Sequence, residues 1–160
     1  MKDEIESLLK RSIDLHVYAA PDIPERRMDA LETTRAAYEA GMGGFVLKSP
    51  NYLTSPLTYT LSQMYPGLEI YGSISLNSSV GGINPEAVAT AAQLGTKVVW
   101  MPTISAEFYL SKTNSGKGLS ILDKSEKLTD DTIQVIDIAQ ANDMVLASGC
   151  ISPLETMKLF

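Results

Sequence analysis

Short apolar runs alternate with helix-length amphipathic runs about five times along this 160-residue chain. That alternation restricts the fold more than any single motif. A strand, a helix and a second strand pack as a right-handed crossover, and repeating the unit gives a parallel sheet flanked by helices. The strand runs are residues 12–18, 44–48, 68–76, 97–101 and 144–148. Most are short and apolar, as strands covered on both faces are. Helical spacing covers residues 4–10, 29–40, 56–64, 85–94 and 129–142, and a last helix starts at Ser152. Asn84 before Pro85, Thr129 before Asp130 and Asp131, and the Ser152/Glu155 spacing of a capping box are helix starts with a local mechanism. Residues 105–127 are rich in Ser, Lys and Gly and are expected to form an excursion loop. The expectation is one α/β domain over residues 1–160, either an open doubly wound sheet or part of a closed barrel.

Charge and cysteine count narrow the function classes. The formal net charge is −6 and the basic residues are scattered. The run Glu25-Arg26-Arg27 carries its own carboxylate, so neither nucleic acid nor a membrane surface is an expected partner. A single cysteine, Cys150, excludes an internal disulfide and fits a reducing compartment. The run from Met1 to Glu6 is charged and lacks the apolar stretch of a signal peptide, which makes a cytoplasmic protein the expectation. No G-x-G-x-x-G or Walker loop follows the first strand, so no nucleotide site is expected.

In parallel β/α folds the chemistry gathers at the carboxyl ends of the strands. Those ends supply Asp14, His16 and Tyr18, then Lys48, Ser49 and Pro50, Asn77, Pro102 and Thr103, and finally Gly149 and Cys150. The run from Ile13 through Asp22 resembles the opening motif Asp-x-His-x-His-Ala-x-Pro-Asp of an uncharacterised family in the amidohydrolase-like, metal-dependent hydrolase group. Four further runs, 41–49, 76–85, 99–103 and 146–152, are similar to later motifs of that family in the same order. The resemblance implies an incomplete TIM-barrel-like array of about five parallel strands, with about three more β/α units needed beyond Phe160 to close it.

The departures from that pattern bear on the chemistry. Tyr18 stands where the family has a second histidine, Pro50 where another is common, and Cys150 in place of a later Gly-His. His16 is the sole histidine of the chain. Residues at i and i+2 of a strand share a face, so His16 and Tyr18 keep the geometry of a metal clamp and change its donor. The metal set that the resemblance implies is therefore His16, Tyr18 and Cys150, for zinc or manganese, with Asp14 or Asp22 nearby. Lys48 and Asp22 are the candidate catalytic residues, and Lys48 is also placed for Schiff-base chemistry. Ser49, Asn77 and Thr103 are the candidate contacts to a small-molecule substrate. The more ordinary roles are a salt bridge for Lys48, a tight turn at Gly81-Gly82, and core packing for Trp100 and Met101. The expected function is a degenerate, non-hydrolytic relative of the group. An active hydrolase with an altered metal site and an oligomeric binding subunit are the alternatives. A homo-oligomer is expected, because an open barrel leaves two sheet edges and apolar inward faces uncovered.

Overall fold

The structure, a computed structural model, describes residues 2–160, with the side chains of Lys2 and Asp3 excepted. Met1, where the charged N-terminal run begins, lies outside the described residues. The architecture is mixed α/β with parallel strands. The elements run α1 (Lys2–Lys10), β1 (Ile13–Val17), α2 (Ala30–Glu39), β2 (Gly44–Leu47), α3 (Ser55–Met64), β3 (Glu69–Tyr71), β4 (Ser73–Ser75), α4 (Pro85–Gln93), β5 (Val98–Trp100), α5 (Glu107–Thr113), α6 (Asp130–Ala141), β6 (Val145–Ala147) and α7 (Pro153–Leu159). Two parallel sheets result, ordered β1-β2-β3 and β4-β5-β6. No closed barrel forms among the described residues.

The run expected as one strand, 68–76, is split between the two sheets at Gly72. The cause is distant in sequence. A side chain at Gly72 would collide with Ser55 at the start of α3. Beside it Thr54 is inserted between the strands. Its Oγ1 donates to the carbonyl of Leu47 at 2.8 Å and accepts from the backbone N of Ser73 at 2.8 Å. Ser73 Oγ also donates to Leu47 O, at 2.8 Å. Side chains thus replace the backbone ladder where one sheet passes into the other.

Each sheet has its own core. Phe45, Leu47, Leu61 and Leu68 pack with Ala30 and Ala37 of α2 in one. Ile74, Leu76, Val99 and Met101 pack with Val88, Ala91, Val135 and Ala139 in the other. The expected helix starts at Asn84, Thr129 and Ser152 all cap through their side chains. Asp29 adds a capping box with Glu32 at the start of α2. The stretch expected as a loop after Ser105 contains the helix α5, which ends on Asn114 in the left-handed conformation. Its start is fixed from outside: Glu107 N donates to Leu119 O at 2.8 Å, and Gly118 lies so close to Glu107 that no side chain fits there.

Candidate functional site

The ends of β1, β2, β5 and β6 enclose a cavity of about 460 Å³ lined by His16, Tyr18, Arg26, Lys48, Pro50, Trp100, Thr103 and the run from Ala147 to Cys150, with Pro24 and Ile104. Seven of the strand-end residues meet here: His16, Tyr18, Lys48, Pro50, Thr103, Gly149 and Cys150. Gly149 has φ +64°, and a side chain there would strike the Met101 carbonyl, so glycine lets the β6 end turn close under β5.

Period-two reasoning holds for His16 and Tyr18 and fails for Asp14. Asp14 pairs with Phe45 and Val17 with Leu47, so β1 carries one more residue than β2 over the same span. Such a bulge shifts which residues share a face. Asp14 lines a separate groove with Met28, Ala37, Met42 and Phe45 beside α2. His16 and Tyr18 stay together in the cavity, ring centroids 5.1 Å apart. Asp14 still fixes the bulge, since His16 N donates to its Oδ1 at 2.9 Å.

Lys48 is the unusual residue. It follows β2, is 2% exposed, and no carboxylate among the described residues pairs with it. Its Nζ lies 3.2 Å from His16 Nε2, 3.7 Å from the Trp100 ring centroid and 5.6 Å from that of Tyr18. Burial lowers its pKa from 10.5 to about 8, with Cys150 acting weakly in the opposite sense. The salt bridge that is the ordinary fate of a buried lysine is missing; aromatic faces and an imidazole replace it. Burial, and then the Lys48 charge, lower the His16 pKa against the pull of Asp14, so His16 is neutral at physiological pH.

Asp22 does not line the cavity. Its fully buried carboxylate accepts from Arg26 Nε at 2.9 Å and Nη2 at 2.5 Å, Asn51 Nδ2 at 2.7 Å, Ile23 N at 2.9 Å and Ser49 Oγ at 3.3 Å. Burial alone would raise its pKa; the bonds from Arg26, Asn51 and Ile23 outweigh burial and hold it low. It is a fixed anion that pins the loop after β1 to the loop after β2, and Ser49 serves the same junction. Asn77 is fully buried. Its Nδ2 donates to Pro50 O at 2.9 Å and Thr103 Oγ1 at 2.8 Å, and its Oδ1 accepts from Thr103 N at 2.8 Å and Ser105 N at 3.1 Å. All its polar capacity goes to holding strand ends, which leaves none for a ligand. Gly81 and Gly82 both have positive φ and serve the turn after Asn77.

His16, Tyr18 and Cys150 share the cavity but suit a divalent ion poorly. The Lys48 amine faces Nε2, one of the two ring nitrogens through which His16 could hold a metal. Burial, with smaller contributions from Cys150 and Asp22, raises the Tyr18 pKa against the pull of Arg26, and a neutral phenol is a weak ligand. Among the described residues no three His, Cys, Asp or Glu side chains are grouped to hold a metal.

Two cavity residues escaped the sequence reading. Trp100, expected in the core, instead forms a wall, with its ring 5.0 Å from that of His16. Arg26 stacks on Tyr18, its Cζ 4.3 Å from the ring centroid. The inward phase of β5 was a usable signal for Trp100; nothing local marked Arg26.

A family model, described as a family of unknown function (DUF6282), matches residues 11–160. No curated protein matches the chain.

Proposed function

For a chain that belongs to the family of unknown function DUF6282, we propose a degenerate, non-hydrolytic relative of the amidohydrolase-like group that binds a small carbonyl compound through the Lys48 amine. In this reading the parallel strand array is of β/α-barrel type and has kept the position of the active site and changed its chemistry. The observation that carries the reading is Lys48 itself: a buried amine in an open cavity, with an imidazole at 3.2 Å and no carboxylate partner among the described residues. An amine freed of its counter-ion and desolvated by apolar walls is the kind that forms imines with carbonyl groups. His16 Nε2 is within reach to take and return the protons of that condensation. Cytoplasmic residence belongs to the same proposal, supported by the single cysteine. Among the described residues no helix is long and apolar enough to cross a membrane.

Borohydride reduction in the presence of a small aldehyde tests this. The expected result is a reduced adduct concentrated on the peptide bearing Lys48 and lost in His16→Ala or Lys48→Met. Adducts spread evenly over the surface lysines would contradict it.

We also propose that copies of the chain associate. The outer edges of β1 and β6 are unpaired among the described residues, and Leu15 on β1 and Val145 on β6 are 60% and 59% exposed. Apolar side chains on open edge strands favour a covering partner. Sedimentation velocity should show a species larger than the monomer. A clean monomer that binds no apolar dye would overturn the proposal.

A further inference from the structure

The charged side chains that line the Lys48 cavity are both cationic. Lys48 and Arg26 both lie near the ring of Tyr18, at 5.6 Å and 4.3 Å from its centroid. The nearby acids are withdrawn: Asp22 is saturated by its own loop, and Asp14 lines the groove on the far side of β1. Asp22 also orients Arg26. It takes Nε and one hydrogen of Nη2, both from the same edge of the guanidinium. No acceptor among the described residues takes Nη1, so the edge formed by Nη1 and the second Nη2 hydrogen remains a two-pronged donor. That fork matches the spacing of a carboxylate. Between the two cations the walls are flat rings, those of Tyr18, His16 and Trp100.

From this we infer that the ligand class is a small oxo acid, whose carbonyl condenses with Lys48 while its carboxylate is held by Arg26. The inference rests on the Lys48 reading above and adds the anionic group. In the condensation the lone pair of the neutral Nζ amine attacks the carbonyl carbon, and the carbonyl π pair moves to oxygen, which takes a proton from solvent, so that the product is the protonated imine. The nitrogen gives up a proton to His16 Nε2. The imidazolium then protonates the hydroxyl of the carbinolamine, which leaves as water as the C=N bond forms. One water is released and nothing is oxidised or reduced. Arg26 acts by fixing the acid group, so that the flat carbonyl lies against the rings with its carbon facing Nζ.

Glyoxylate and glycolaldehyde separate the two claims, because they are nearly the same size and only the first carries a carboxylate. Each is incubated with the full chain, reduced with borohydride and mapped by peptide mass, with the surface lysines as the internal reference. Glyoxylate is expected to label Lys48 about tenfold more than glycolaldehyde does, the order of effect a charge-assisted pair provides. That preference should fall away in Arg26→Gln and persist in part in Arg26→Lys. Loss of Arg26 also loosens the loop around Asp22, so the wild-type comparison stands without the variants. Equal labelling by the two compounds would overturn the oxo-acid inference and leave the Lys48 reading intact. No labelling of Lys48 above the surface lysines by either compound would overturn both.

Discussion

Lys48→Met is expected to be more stable than the wild type at pH 7 by about 2 kcal/mol, while losing all carbonyl trapping. Methionine matches the reach of the lysine stem and keeps the contact with Trp100, but carries no charge into the cavity. In the wild type the ammonium is buried with no carboxylate to offset its desolvation. The fall in pKa from 10.5 to about 8 records that penalty. Taken whole it would exceed 3 kcal/mol, roughly, and the opening of the cavity to water reduces it. The sign follows from proton counting. Between about pH 8 and 10.5 the unfolded chain holds the Lys48 proton and the folded chain has released it. Wild-type stability therefore rises with pH across that window, and the penalty is present in full below it. Urea denaturation at several pH values should show this rise in the wild type and its absence in the variant. A second signature sits on His16. Removing the Lys48 charge removes one of the two causes that lower its pKa, so the His16 titration should move upward in NMR spectra of the variant. A Lys48→Met protein less stable than the wild type would mean that the ammonium is compensated in the fold. A gain in stability with loss of reaction marks a side chain kept for chemistry.

Asn77→Ala should cost about 3 kcal/mol and loosen the cavity, although Asn77 itself does not line it. The amide ties three strand ends together through its four hydrogen bonds, to Pro50, Thr103 and Ser105. Truncation leaves the N–H of Thr103 and its hydroxyl without their partner in a buried place, and each orphaned group costs about 1–3 kcal/mol. Pro50 O keeps its second donor, Ser79 Oγ at 3.1 Å, which limits the damage there. Because Pro50 and Thr103 line the cavity, carbonyl trapping at Lys48 should fall with stability. Asn77→Asp does not rescue, since it places an acceptor against the Pro50 carbonyl. A loss below about 1 kcal/mol in urea denaturation would show that the clamp carries little of the fold.

The features that sequence revealed are those with local causes. Helix starts at Asn84, Thr129 and Ser152 follow from side chains that bond amides two or three residues on. The strand-end rule likewise brought His16, Tyr18, Lys48, Thr103 and Cys150 into one list, and the fold brings them into one cavity. What stayed hidden depends on distant contacts. The division at Gly72 is imposed by Ser55, and the β1 bulge by the register with β2. Asn77 looked like a ligand contact because a buried clamp and a binding amide are written with the same letter; only partners 26 to 28 residues away distinguish them. Lys48 was visible, but the absence of its salt bridge was not, and that absence gives it a chemical role. Arg26 stands in a run that carries its own carboxylate, yet Asp22 rather than Glu25 holds it.

Lys48 carries a largely desolvated amine, with no carboxylate partner among the described residues, at the mouth of the strand ends. The most direct measurement is the titration of its side chain by heteronuclear NMR, with the signal assigned by its disappearance in Lys48→Met. The expected midpoint is at about 8. A midpoint at the ordinary value of 10.5 would show that the amine is neither buried nor freed of a counter-ion.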